Sequence, residues 1–115
     1  MMTVSELSKT LSLVSKTDDI GEDKPVTGCY IGDLLSWVMG RAPDGCVWIT
    51  VMGNINAVAV AQLADISCII LCENAHLDDN AKSKAELHGI PVYSSELTAY
   101  GLAVKISSLL GESAR

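Results

Sequence analysis

The chain has 115 residues, 49% of them hydrophobic, and a formal net charge of −6. This length predicts one domain over residues 1–115, with enough apolar side chains for a layered core although Phe is absent. Only eight Lys and Arg residues are present, and they are scattered, which argues against nucleic-acid binding and against binding to anionic membranes. The sequence contains neither an apolar run of roughly 20 residues nor a signal-peptide pattern, so we expect a cytoplasmic protein with reduced cysteines.

The first half of the chain predicts two short helices and two strands. The N-terminal Thr-Val-Ser-Glu sequence is a capping box, which predicts a helix over residues 4–10. Alternating apolar and polar residues predict a short strand over residues 11–15, and a charged turn follows. A second strand is expected over residues 26–31. A short helix is then expected over residues 34–39, with Gly40 as its terminator.

The second half predicts a regular alternation of strands and helices. Residues 46–52 form a continuous apolar run, typical of a central strand that is buried on both faces. The elements expected after it are a helix over residues 57–64, a strand over 67–72, a helix that begins at Asp78 and ends near His88, a strand over 92–94 and a helix over 97–110. Such alternation is typical of right-handed βαβ units. The predicted fold is therefore α/β, with a mostly parallel sheet of about four or five strands and helices on its faces.

Ligands of open parallel sheets gather beyond the carboxyl ends of the strands. Three segments are expected to meet there, namely residues 53–56, 73–76 and 94–96. In the first, Gly53 would let a ligand approach the backbone, and the following helix would direct free N–H groups towards an anion or a nucleotide phosphate. The alternative is an ordinary turn in which Asn54 or Asn56 caps the helix.

Gly28 is the other glycine of interest, because it interrupts a predicted strand. A glycine within a strand often marks a bulge or a close approach by another backbone or a ligand. The candidate ligand-binding residues are therefore Gly28, Gly53, Asn54 and Asn56.

The sequence offers no pattern for a metal site or a catalytic centre. The cysteines have no C-x-x-C spacing and fall in or beside predicted strands, where thiols pack as small apolar groups; they are Cys29, Cys46, Cys68 and Cys72. No nucleophile has a recognisable general base, so we predict no enzymatic activity. We also predict that the chain binds no metal and no cofactor. Asp33 is expected to cap the short helix. Trp37 lies on that helix and is a candidate contact for a homodimer.

Several segments resemble the DRTGG domain family. Residues 23–33, with the sequence Asp-Lys-Pro-Val-Thr-Gly-Cys-Tyr-Ile-Gly-Asp, are similar to the signature, and residues 45–59, 69–72 and 89–93 continue the likeness in the same order. Lys24 stands where the signature usually has Arg, and Cys29 where it usually has a second Gly.

The resemblance implies a compact α/β domain, often homodimeric, that serves as an accessory module. Such domains occur beside paired CBS domains in regulated pyrophosphatases and are distantly related to the amino-terminal domain of HPr kinase. Kinase activity is not implied, because the chain has no phosphate-binding loop. We therefore expect a non-catalytic regulatory or ligand-sensing module, homodimeric through the Trp37 region, that binds a nucleotide-like or other small ligand or a partner protein. The alternative is a protein-interaction or assembly subunit with no small ligand.

Overall fold

A five-stranded sheet with helices on both faces forms the structure, a computed structural model that describes residues 2–111. The helices are α1 (Val4–Thr10), α2 (Leu35–Arg41), α3 (Ile55–Leu63), α4 (Asp79–His88) and α5 (Ala99–Leu110). The strands are β1 (Val14–Ser15), β2 (Gly28–Ile31), β3 (Cys46–Thr50), β4 (Cys68–Leu71) and β5 (Val92–Ser94). A 3₁₀ turn, Cys72–Asn74, follows β4 directly.

The strand order is β1-β5-β4-β3-β2. Strands β2 to β5 pair in parallel, and β1 adds to β5 in the antiparallel sense. The predicted α/β fold with a mostly parallel sheet is thus confirmed. Strand β3 lies between β2 and β4 and all five of its residues are buried, as its continuous apolar sequence predicts.

The two faces of the sheet pack against different helices. On one face, Trp48 and Ile69 contact a core that includes Ala61 of α3 and Ala85 of α4. Small alanines allow these helices to lie close to the sheet. The alternate residues of the same strands face the other way, towards Leu7 of α1 and the two buried positions of α5, Leu102 and Ile106.

Local sequence signals account for most element ends. The predicted capping box is present, since Thr3 and Glu6 each accept a hydrogen bond from the other's backbone N–H. Gly89 adopts the left-handed conformation that ends α4. Ser12, with φ 53°, lies in the turn between α1 and β1, and β1 has only two residues, Val14 and Ser15.

The predicted end of α2 is wrong. The helix continues through Gly40 to Arg41, and Ala42 leaves it in an extended conformation. The physical reason is Pro43, because a proline disfavours the helical conformation of the residue before it. None of the helices within residues 2–111 is long and apolar enough to cross a membrane.

Candidate functional site

The four parallel strands end at one edge of the sheet, and the loops that follow them form two different regions. The closed half consists of the loops after β2 and β3, from Gly32 to Asp33 and from Val51 to Gly53. The open half consists of the segments after β4 and β5, around Asn74 and Ser95. The sheet order places the two halves side by side.

The closed half is held together by hydrogen bonds of the Asp33 carboxylate. Asp33 Oδ1 accepts from Thr50 Oγ1 at 2.6 Å and from the Val51 N–H at 3.1 Å. The predicted role of Asp33 as a helix cap is therefore wrong. The N-cap of α2 is Leu34, whose apolar side chain has no acceptor for a capping bond, and the Asp33 side chain bonds to Thr50 and Val51 instead. Trp48 Nε1 donates to the Gly32 carbonyl at 2.8 Å and fixes the same loop.

Gly53 lies directly against the segment that leads into α4. A Cβ atom at this position would lie 1.8 Å from the carbonyl oxygen of His76. The Gly53 carbonyl also accepts a hydrogen bond from the Asp78 N–H at 2.8 Å. The close backbone approach that a glycine permits is thus made here by the chain itself.

The other predicted ligand residues lie outside this contact. Asn54 caps α3, since its Oδ1 accepts from the Ala57 N–H at 2.8 Å, which confirms the capping interpretation for that residue. Asn56 is exposed on α3. Gly28 is buried at the first position of β2, in register with Cys46, and so lies at the opposite end of the strands from Gly53. Ligand binding at these four positions stays a prediction.

The open half begins with an unusual turn. Glu73 and Asn74 both have positive φ, 54° and 53°. Non-glycine residues pay about 1 kcal/mol or more for such a conformation. Their N–H groups donate to the carbonyls of Leu97 and Ser95, both at 2.9 Å. These two bonds tie the loop after β4 to the loop after β5 and place Asn74 at the junction of two grooves.

The two grooves are of similar size. The first has a volume of about 440 Å³ and is lined by Lys16, Asn74, Ala75, His76, Leu77, Lys82 and Ser94. The second has a volume of about 420 Å³ and is lined by Leu11, Ser12, Val14, Asn74, Ser94, Ser95, Glu96, Leu97 and Lys105. Asn74 and Ser94 line both, and none of the four residues predicted from sequence lines either.

Ser94 is the most informative residue of the open half. The residue is only 4% exposed and lines both grooves, and its hydroxyl makes no hydrogen bond to the protein among residues 2–111. Because no buried side-chain oxygen in that range lacks a partner, the Ser94 oxygen keeps its small exposed surface towards the grooves. Ser67 is equally buried, but its hydroxyl donates to the Pro25 carbonyl at 2.6 Å. The Ser94 hydroxyl is thus a polar group that opens to the grooves and is available to a molecule bound there. The sequence predicted that residues 94–96 lie at this edge, but it did not single out Ser94, because a serine at the end of a strand carries no signal of burial.

Glu86 connects α4 to the segment that follows β1. Its Oε2 accepts from the Asp18 N–H at 2.8 Å and lies 3.4 Å from Lys82 Nζ. The Asp18 hydrogen bond, and to a smaller extent the lysine, hold the pKa of the Glu86 carboxyl below its usual value. His76 Nε2 lies 3.8 Å from Asp78 Oδ1, and both side chains are largely exposed.

Three of the four cysteines are buried, namely Cys46, Cys68 and Cys72, and Cys29 is partly exposed. Burial, with smaller contributions from Cys46 and Cys29, raises the pKa of the Cys68 thiol far above its usual value. Burial also raises the pKa of Cys72, whose Sγ lies 3.8 Å from the Thr50 carbonyl oxygen. Protonated, buried thiols are inert. Within the described part of the chain, no group of three or more His, Cys, Asp or Glu side chains could hold a metal ion.

The fold and the open half together define an α/β module whose grooves lie at the carboxyl edge of a parallel sheet. No family model matches the chain, and no curated protein matches it either. Its structure is similar to the crystal structure of the CBS and DRTGG domains of the regulatory region of Clostridium perfringens pyrophosphatase, complexed with the activator diadenosine tetraphosphate.

That similarity has a TM-score of 0.71 at 13% sequence identity. It covers 89% of this chain and 44% of the other, so this chain spans less than half the length of its structural neighbour. At this identity the likeness concerns the fold alone, and the fold is DRTGG-like.

Proposed function

We propose that this chain is a non-catalytic regulatory module of the DRTGG family that senses a small ligand in the open half. The observation that carries the proposal is the Ser94 hydroxyl, which belongs to a nearly buried residue, makes no hydrogen bond to the protein among residues 2–111 and opens to the grooves. Binding sites combine an apolar wall with a few such convergent polar groups. The structural neighbour, a regulatory region crystallised with a nucleotide activator, supports a regulatory role of the same kind.

The side chains that line the grooves support binding rather than catalysis. The titratable ones are Lys16, His76, Lys82, Glu96 and Lys105. Covalent catalysis by a serine needs a base within hydrogen-bond reach of its hydroxyl. Ser94 has no such partner among residues 2–111, so its hydroxyl serves here as a hydrogen-bonding group for the ligand.

A ligand screen with matched variants tests the proposal. Thermal unfolding is measured with a panel of nucleotides, dinucleotides, cofactors, amino acids and organic acids, and the affinity of any compound that raises the midpoint is then measured by calorimetry. A ligand present at a hundredfold excess over its dissociation constant stabilises the fold by about 2.7 kcal/mol. Ser94→Ala should weaken binding about tenfold, because it removes one buried hydrogen bond.

Asn56→Ala is the matched control, since Asn56 belongs to the turn predicted from sequence and lines neither groove. If Asn56→Ala abolished binding while Ser94→Ala did not, the ligand would lie at the turn of residues 53–56. If no compound in the panel raised the unfolding midpoint, the ligand-sensing proposal would fail.

A second candidate function is that of an assembly subunit, and one observation favours it. Ile31 of the edge strand β2 and the nearby residues Leu34 and Trp37 at the start of α2 are all substantially exposed. The Arg41 guanidinium lies 3.7 Å from the centre of the Trp37 ring. Aromatic and Arg side chains are enriched in protein interfaces. This surface would hold a homodimer or a partner protein.

Sedimentation of the purified protein tests the second candidate. A dimer that Trp37→Ala converts to a monomer would support assembly through this surface. A wild-type protein that stays monomeric at high concentration would contradict the homodimer.

A further inference from the structure

We infer that the ligand is a mononucleotide-like molecule that spans both grooves, with its phosphate in the first groove and its uncharged ring in the second. The inference rests on the proposed function, that is, on a ligand in the open half. It adds the chemical class of that ligand and its orientation across the two grooves. The charges of the two linings carry the argument.

The first groove is basic on an acidic protein. The chain has 14 Asp and Glu residues against eight Lys and Arg. The lining of the first groove nevertheless contains Lys16, Lys82 and His76 and no carboxylate. Lys82 forms an ion pair with Glu86, whereas Lys16 has no ion pair within 4.0 Å among the described residues. Two ammonium groups in the lining of one groove suit a compact dianion such as a phosphate group.

The second groove has a different character. Leu11, Val14 and Leu97 give it an apolar wall, and Val14 is 55% exposed there. Glu96 and Lys105 oppose each other in sign, so the lining carries no excess positive charge, and the carboxylate would repel a second phosphate. Apolar contacts with a few hydrogen-bonding groups suit a heteroaromatic ring and a sugar.

Ser94 and Asn74 lie where the two grooves meet. Val14 pairs directly with Ser94 across β1 and β5, so both side chains point to the same face of the sheet. A ligand laid across this junction would reach the Ser94 hydroxyl from either groove. Each groove is within the roughly 300–1,000 Å³ that small-molecule sites occupy, so neither needs to expand.

Calorimetric titration with AMP, GMP, CMP and UMP, with their nucleosides, and with inorganic phosphate tests the inference. At least one nucleotide should bind ten times more tightly than its nucleoside and than phosphate alone. Lys82→Gln and Lys16→Gln should each weaken the binding of that nucleotide about tenfold and leave the binding of the nucleoside unchanged. Val14→Ser should weaken the binding of the nucleotide and of the nucleoside to the same extent.

Lys84→Gln is the matched control, because Lys84 lies on the same helix as Lys82 but lines neither groove. Unchanged nucleotide affinity in both Lys16→Gln and Lys82→Gln would overturn the inference, as would loss of binding in Lys84→Gln to the same extent. Unfolding midpoints of the free variants exclude a folding defect.

The inference and the proposed function can fail separately. If a ligand without a phosphate binds and Ser94→Ala weakens it, the open half is a binding site but the phosphate assignment is wrong. If nothing in the wider panel binds, both fail.

Discussion

The closed and open halves of the carboxyl edge are built from the same kind of strand-end loop, yet they differ in how far their polar groups are satisfied within the protein. In the closed half, Thr50 donates to Asp33, and Gly53 lies against the backbone of His76. In the open half, the Ser94 hydroxyl makes no hydrogen bond to the protein among residues 2–111, and Ser94 lines both grooves. Hydrogen bonds that a loop makes to its own fold are not available to a ligand. The more suggestive sequence motif, the turn at Gly53, is for this reason the less open of the two regions.

The largest expected effect is that of a side chain at Gly53. Gly53→Val should destabilise the protein by about 3 kcal/mol or more, because the new atoms overlap a backbone carbonyl that cannot move aside. Urea denaturation measures the change. Gly40→Ala is the control: a Cβ there meets nothing within 4 Å, and alanine in a helix interior should stabilise by about 0.5–1 kcal/mol. A Gly53→Val protein of wild-type stability would show that Gly53 does not pack closely against the backbone of His76.

Removal of the Asp33 carboxylate should have the next largest effect. Asp33→Ala leaves the Thr50 hydroxyl and the Val51 N–H without their acceptor, at an expected cost of about 1–3 kcal/mol. Asp33→Asn keeps an oxygen acceptor and should cost less. Equal losses in the two variants, measured by urea denaturation, would mean that charge rather than hydrogen bonding holds the closed half.

The two buried serines allow the sharpest test of the comparison. Ser67→Ala removes the donor to the Pro25 carbonyl and should cost about 1 kcal/mol. Ser94→Ala removes a hydroxyl that has no protein partner and should change stability by less than about 0.5 kcal/mol. A loss at Ser94 as large as that at Ser67 would show that the hydroxyl is already satisfied by the protein.

The smallest expected effect is the pH dependence that Glu86 contributes beside the first groove. Its pKa is lower in the folded than in the unfolded state, so its stabilisation is complete above the unfolded value and is lost as pH falls through the folded one. Wild-type stability should therefore fall more steeply than that of Glu86→Gln as the pH is lowered through and below the usual pKa of a glutamate. Unfolding in urea at several pH values measures both slopes, and parallel curves would contradict the link between Asp18 and α4.

Short-range chemistry made much of this fold predictable. The capping box that begins α1, the left-handed Gly89 that ends α4 and the apolar run of β3 each depend on residues that are neighbours in sequence. The Asn54 cap of α3 is of the same kind. Such signals predict where elements begin, where they end and which strand is central, because hydrogen bonding and periodicity act over a few residues.

The sequence by itself therefore determined the element order and the parallel α/β architecture of this protein. The tertiary structure alone decided that Asp33 bonds to Thr50 rather than to its own helix, and that β1 pairs with β5. That pairing brings Lys16 to the same groove as Lys82 and sets Val14 opposite Ser94. The physical reason is that hydrogen bonds between strands and burial by distant helices join residues that share no local pattern, so the groove exists only once the sheet order is fixed.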